Sequence, residues 1–352
     1  MGKKNKSKNI LPKVTVCTPT FNRRPFIPII IKCLENQTYP KNLIEWVIVD
    51  DGTDPIGDLV KDIPNVKYFY FEEKMSLGKK RNLCHSKATG DILVNMDDDD
   101  YYPPTRISHG VNILQKHPSF LIAGSSQLYM HFKHLPEGKQ MIKFGPYKDN
   151  HGTAATFVFR RELLEQTSYD EDAALAEEKH FLKDYTIPLY QLDPKQVILC
   201  FSHNHNSFDK KALLGNIGTG PVNYADDVTV DDIIKEEDIK KFFIEDIDYL
   251  LEGYIPGRPE NKPDVIEQTK ELTKKRNEQI ENMRPVLIFK DGEGKESQMN
   301  RYQILEKVNT HQTNNEFKYA LGVVNNLLDV IRVLQDMNKQ LQDQLNSTIA
   351  TS

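Results

Sequence analysis

Short apolar runs that end abruptly in polar or acidic residues, and that alternate with stretches of helical spacing, constrain this chain most. Val14–Thr18, Trp46–Val49, Val66–Phe71 and Ile92–Met96 read as strands, the first broken by Pro19. Between them, Pro25–Leu34 places Ile27, Ile30, Ile31 and Leu34 on or near one helical face, and Gly78–Ala88 reads as a second helix. Strands alternating with helices argue for an α/β domain with a mainly parallel sheet and right-handed crossovers. The last of these runs meets four consecutive carboxylates, Asp97–Asp100. Such a block is costly to bury, and the end of a strand is where an open α/β sheet forms its ligand crevice. Clustered carboxylates there suit a hard cation such as Mg²⁺ or Mn²⁺. An isolated acidic run is more readily a solvated loop.

Farther along, Ile107–Gln115 suggests a helix, Phe120–Met130 and Thr156–Phe159 strands, and Arg161–Glu165 a short helix. Ala173–Tyr185 reads as a helix, with Ile187–Leu192 and Val197–Phe201 extended. Residues 210–285 become charge-rich and helical with loops, and Val286–Phe289 before Asp291–Gly294 reads as a strand and turn. Ala320, Val324, Leu327, Ile331, Leu334, Asn338, Leu341 and Leu345 alternate steps of four and three. That seam, with β-branched residues at a, Leu at d and one Asn, favours a parallel coiled coil and hence a homodimer. A helix docked on its own domain uses a similar stripe. The chain thus divides into a basic tail (1–10), an α/β domain (11–212), a helical and loop extension (213–318) and an oligomerisation helix (319–346).

Bulk properties exclude several classes. The formal net charge of −5 over 352 residues argues against a general nucleic-acid binder. No apolar stretch approaches ~18 residues, so no membrane span is expected, and the start lacks an apolar signal core. Cys17, Cys33, Cys84 and Cys200 are scattered without metal-ligand spacing, as in a reduced, cytoplasmic protein.

Three strand ends carry ligand-type residues at one predicted sheet edge: Pro19–Arg23, Asp50–Thr53 and Asp97–Asp100. Together with Gly78–Asn82, Ala88–Gly90 and Met96–Pro103, these stretches make residues 11–210 resemble family 2 glycosyltransferases of the GT-A fold. The lysine- and asparagine-rich style also resembles proteins of large DNA viruses.

The resemblance implies a UDP-sugar donor. Pro19, Thr20, Asn22 and Arg23 would line the nucleoside pocket, Asp51 would accept from the uracil ring, and Arg81 would face the base or diphosphate. Lys79 and Lys80 read as a solvated helix face. In the D-x-D element Asp97 would face the ribose and metal, and Asp99 would bind Mn²⁺ or Mg²⁺ directly. Asp98 and Asp100 leave the register open by one residue. A third ligand would be His203 or His205, in Phe201–Ser207. The acceptor's proton would go to Glu178, with Glu177 as acceptor-binding residue or alternative base; Glu178 stands where the family usually has Asp. Gly152–Ala155 either lets a sugar approach the backbone or packs a strand entry, and Tyr129–Lys148, with His131, His134 and Tyr147, is a candidate acceptor wall. The expected activity is non-processive transfer to a carbohydrate or glycoconjugate acceptor, since the single tryptophan, Trp46, rules out the Gln-x-x-Arg-Trp element of processive synthases. The competing readings are an inactive scaffold dimerised by its C-terminal helix and a sugar-phosphate nucleotidyltransferase. The latter requires a Gly-rich loop that Pro19–Arg23 does not provide.

Overall fold

The structure, a computed structural model, describes residues 11–206, 209–218, 220–283, 287–290, 296–299 and 332. It divides into two compact units, residues 1–270 and 271–352.

The first unit is built on a seven-stranded sheet. Its strands are β1 (Val14–Thr20), β2 (Ile44–Asp50), β3 (Val66–Tyr70), β4 (Ile92–Asn95), β5 (Ile122–Gly124), β8 (Val158–Arg160) and β9 (Leu189–Gln191). The order is β3-β2-β1-β4-β8-β5-β9. The first four strands are mutually parallel. β8 runs antiparallel to both β4 and β5, so the sheet is mixed rather than wholly parallel. A second sheet holds β6 (Leu128–His131), β7 (Met141–Phe144), β10 (Leu199–Phe201) and β11 (Val222–Tyr224), in the order β10-β6-β7-β11. The segment read as one extended stretch, Phe120–Met130, is therefore split between two sheets.

Every residue of β1, β2 and β4 is buried, as parallel strands covered on both faces must be. Successive side chains alternate between two apolar cores. Val14, Val16, Trp46 and Ile48 face one, beneath α1 (Ile27–Glu35); Cys17, Val47 and Val49 face the other with Phe157, Phe159 and Phe181. Pro19 does not end β1 as expected. β1 has β4 beside it only as far as Cys17, so beyond that point one side is open and a missing N–H removes no ladder bond there.

The remaining helices of this unit are α2 (Gly57–Val60), α3 (Leu77–Lys87), α4 (Arg106–Lys116), α5 (Glu178–Phe181), α6 (Val230–Ile233), α7 (Glu237–Lys241) and α8 (Ile247–Glu252); α9 (Pro263–Met283) follows. The long helix expected over Ala173–Tyr185 shrinks to the single turn of α5. Ala176 takes φ 54° and Lys183, Asp184 and Tyr185 take 49°, 54° and 62°, left-handed values that an α-helix does not tolerate. Residues 271–352 include β12 (Leu287–Lys290) and β13 (Glu296–Met299), an antiparallel pair whose first strand overlaps the expected Val286–Phe289; the expected turn at Asp291–Gly294 lies outside the described residues. The basic tail and the coiled-coil seam lie outside the described residues, apart from Arg332. Among the described residues, no helix is long and apolar enough to cross a membrane.

Candidate active site

The parallel strands β1, β2 and β4 deliver their C-terminal residues to one edge, and there the polar side chains sort into two kinds. Asp50 is an organiser of the turn. Its carboxylate accepts from the Gly52 and Ile56 amides (2.9 and 3.0 Å) and from the Tyr68 hydroxyl (2.7 Å). Asp51 turns inward and accepts from Lys80 Nζ at 2.8 Å and from the Met75 amide. Lys80 is buried and also donates to the Thr20 carbonyl, so it is not the solvated lysine that its helix position suggested; Lys79 beside it is exposed.

Asn22, at φ 54°, accepts from the Asp54 amide and donates to the Pro256 carbonyl, so its side chain is spent on tying the loop. Arg23 reaches across to the aspartate run, with Nη2 3.3 Å from Asp99 Oδ2 and Nε 3.6 Å from Asp98 Oδ1. Arg81, fully enclosed, bridges Asp97 (3.0 Å) and Glu177 (2.8 Å). It is a buried ion-pair node.

The four aspartates thus separate by partner. Asp97, Asp98 and Asp99 line a cavity of about 140 Å³ together with Pro19, Phe21, Arg23 and Lys80. Asp100 instead accepts from the Phe201 amide (3.1 Å) and approaches Lys210, anchoring the end of β10. Burial pushes the Asp98 carboxyl up to about 7 against the pull of Arg23, and Asp100 up to about 6 against Lys210. Asp99 is buried too, yet the hydrogen bond from His203 and the charge of Arg23 hold it well below the usual carboxylate range.

His203 Nε2 lies 3.4 Å from Asp99 Oδ2, while its Nδ1 accepts from the His205 amide. Burial lowers this imidazole to about 4, so it is neutral at pH 7, the form a metal ligand requires. His205 points elsewhere, with Nε2 2.8 Å from the Tyr254 carbonyl. Among the described residues no three His, Cys, Asp or Glu side chains form a ready-made metal cage. Mg²⁺-type sites often use only one or two carboxylates and take further oxygens from substrate phosphates, so the Asp99–His203 pair, with Asp97 close in sequence, fits such a cation.

Glu177 is pinned by Arg81, whereas Glu178 makes no ion pair with a described residue. Burial, then the neighbouring Glu177 charge, push Glu178 up to about 7. Tyr185 stacks on His151 (4.9 Å between ring centres), and His151 meets Tyr147 at 4.7 Å. His131 lies buried on β6 against Phe201, away from this ladder. Gly152 and Ala154–Thr156 are packed against Leu189 and Phe157, a tight strand entry.

Thr20, Asn22, Asp51 and Arg81 support the cleft from behind rather than lining it. Sequence reasoning missed Phe21, Lys74, Met75 and Ala174, and above all Lys262, Asp264 and Val265, which come from beyond residue 250. The one available signal was the punctuation of Pro256, Gly257, Pro259 and Pro263 inside an otherwise charged helical region.

Comparison with known proteins bears on residues in the same stretch. The chain is 30% identical over 112 residues to the poly(ribitol-phosphate) beta-N-acetylglucosaminyltransferase TarS of Staphylococcus aureus, covering 30% of this chain and 20% of that protein. It is 30% identical over 96 residues to a GalNAc(5)-diNAcBac-PP-undecaprenol beta-1,3-glucosyltransferase of Campylobacter jejuni, covering 26% and 30%. The matches therefore span less than a third of either relative. Among solved structures, TarS residues 1–349 of S. aureus with UDP-GlcNAc is similar at 23% identity and a TM-score of 0.41, over 54% of this chain and 58% of that one. The mannosyltransferase PcManGT of Pyrobaculum calidifontis, in complex with GDP-Man and Mn²⁺, gives 20% and 0.43, over 54% and 57%. The family model described as glycosyl transferase family 2 matches residues 15–167, and those residues, which hold β1 to β4 and all four aspartates, are a glycosyltransferase domain of that family.

Proposed function

We propose that the chain is a metal-dependent, inverting glycosyltransferase that moves a sugar from a UDP-sugar to a hydroxyl of a carbohydrate or glycoconjugate acceptor, without processivity. One observation carries this reading: Arg81 ties Asp97, at the β4 end, to Glu177, whose neighbour Glu178 makes no ion pair with a described residue. Donor-side acid groups and an acceptor-side base are thereby held in one buried network.

In this reading Glu178 takes the acceptor's hydroxyl proton as that oxygen attacks the anomeric carbon. The bond from that carbon to the UDP oxygen breaks on the opposite face, so the configuration inverts. A carboxyl at about 7 is well matched to the task at neutral pH, half of it already ionised and basic enough to hold the proton. Glu177, fixed by Arg81, sets the direction of Glu178 and raises its basicity. Arg23 and the cleft lysines hold the departing diphosphate. Asp99 and His203, with Asp97, would hold Mn²⁺ or Mg²⁺, which when bound offsets charge on the diphosphate.

Thermal melting of the full chain tests the donor half. UDP with Mn²⁺ should raise the midpoint, by the equivalent of about 2.7 kcal/mol at a hundredfold excess over Kd. If neither ligand moves it, the enzyme reading falls and a scaffold is left. A panel of nucleotide sugars, followed by Mn²⁺-dependent hydrolysis, then identifies the donor. The homodimer through residues 319–346 belongs to the same proposal; deletion after residue 318 should convert a dimeric mass in solution to a monomeric one.

A further inference from the structure

Three lysine amino groups lie around one aromatic ring in the cleft. Lys74, Lys80 and Lys262 lie 5.1, 5.5 and 6.0 Å from the centre of the Phe21 ring, and all three line the cavity beside Arg23. Lys80 comes from α3 and is steadied by Asp51; Lys74 precedes α3 and pairs with Asp264. Lys262 comes from outside the matched family residues, and it is 5% exposed. Like charges gathered in a partly desolvated cleft repel one another, and a ring face offsets roughly 0.5–2 kcal/mol per cation. Such a collar therefore favours an anion carrying more than one charge.

Lys262 is delivered by a segment pinned at both ends. At its start, the Tyr254 carbonyl meets His205 Nε2 (2.8 Å) and the Tyr254 hydroxyl donates to Asp54 (2.9 Å). The Pro256 carbonyl accepts from Asn22 (2.9 Å), and that of Gly257 lies 3.4 Å from Arg23 Nη1. A Cβ on Gly257 would come within 2.8 Å of the Asn22 carbonyl oxygen, so only glycine lets the segment lie this close. At its end, Gln268 accepts from the Ala174 amide (2.8 Å) and donates to the Asp172 carbonyl (2.7 Å). The segment thus runs from the end of β1 to the loop before Glu177.

We infer that residues 254–268 are a strap that completes the donor site, and that Lys262 is a diphosphate-binding residue supplied from outside the family domain. This rests on the donor reading above. Asp97–Asp99 line the same cavity, so a nucleoside diphosphate bound there meets both carboxylates and the lysine collar.

Calorimetric titration of the full chain with UDP and with uridine, in the presence of Mn²⁺, tests it. K262Q should weaken UDP about tenfold or more, as for loss of a charge-assisted hydrogen bond, and leave uridine within twofold. K262R should recover most of the loss. In the unmodified chain, UDP should slow hydrogen exchange at the amides of Gly257, Arg258 and Lys262, a readout independent of how well any variant folds. If the unmodified chain binds no UDP, the donor reading itself fails and the strap's role falls with it. If it binds UDP while K262Q binds equally well, or while strap exchange is unchanged, the donor reading stands and the strap inference is overturned.

Discussion

In the proposed reading, the donor side and the acceptor side of the cleft differ in how they treat charge. On the donor side four cations have carboxylates: Arg23 with Asp98 and Asp99, Lys80 with Asp51, Lys74 with Asp264, Arg81 with Asp97. On the acceptor side Glu177 is paired, Glu178 makes no ion pair with a described residue, and its neighbour Tyr185 opens a ring ladder with His151 and Tyr147. Burying an ion requires a counter-charge or a shifted pKa. The donor side takes the first course at its cations and adds the second at Asp98, whose carboxyl burial raises to about 7 despite Arg23; the pairs hold its groups in place for a ligand that brings its own charge. Glu178 takes the second, which leaves a carboxylate ready to accept a proton.

The sharpest way to break this contrast is to neutralise one group on each side. Glu178→Gln should lower transfer by about 10²–10⁴-fold, the usual size of a lost general base, while UDP affinity in titration stays within twofold. Near-normal turnover would remove Glu178 from the base role and leave Glu177 as the candidate. Asp99→Ala should cost roughly 10²–10³-fold in transfer, and, unlike the first variant, also abolish the Mn²⁺-dependent part of UDP binding. If both variants affected binding and turnover alike, the two sides would not be separable.

Acidity tests the acceptor side. With donor saturating, transfer should fall about tenfold per pH unit below about 7, because the base form of Glu178 disappears there. The same group leaves a mark on stability. Its carboxyl is raised in the fold from an ordinary 4.5 to about 7, so the folded chain binds the proton more tightly than the unfolded one. Stability therefore falls as pH rises through that window, and the whole cost is present above 7. Glu178→Gln removes it. The variant should gain about 1–3 kcal/mol in denaturant unfolding at pH 8 and almost nothing at pH 4, where both states are protonated. A pH-independent difference would mean that Glu178 is ordinary and solvated.

The donor side was largely legible in the sequence and the acceptor side much less so. Parallel strands place their ends at one edge whatever follows, so Arg23, Asp51 and Asp97–Asp99 could be assembled from strand runs and polar stops alone. Their division of labour could not. Asp50 and Asp51, or Asp99 and Asp100, are chemically identical in sequence, and only pleat direction and the approach of Gly52, Lys80 or Phe201 tell them apart. Glu178 was found as one of an acidic pair, but the helix drawn around it over Ala173–Tyr185 was wrong. Helical spacing has no way to register the left-handed residues at both ends of α5. Lys262 escaped because the residues it meets, from Phe21 to Asp99, lie more than 160 positions away, and a lysine among charged residues carries no distinguishing pattern.

The smallest expected effect tests why those left-handed residues are there. Lys183, Asp184 and Tyr185 hold φ values of 49°, 54° and 62° in succession, each costing a non-glycine residue about 1–2 kcal/mol. Strain of this kind is kept where surrounding contacts over-determine it, and here it sets the Tyr185 ring flat against His151, with planes 27° apart. If the ladder is the wall against which an acceptor sugar lies, the ring should matter more than the backbone beneath it. Tyr185→Gly relaxes the strain and removes the ring together. Folding stability should change by less than about 1 kcal/mol, since the relief is offset by the freer unfolded chain. The acceptor KM should rise roughly 3–10-fold, the scale of one aromatic contact, with UDP affinity unchanged. Tyr185→Phe, which keeps the ring and the strain, should behave as the unmodified chain. An unaltered KM in Tyr185→Gly would move the acceptor away from the ladder and leave Glu178 as the acceptor side's one functional group.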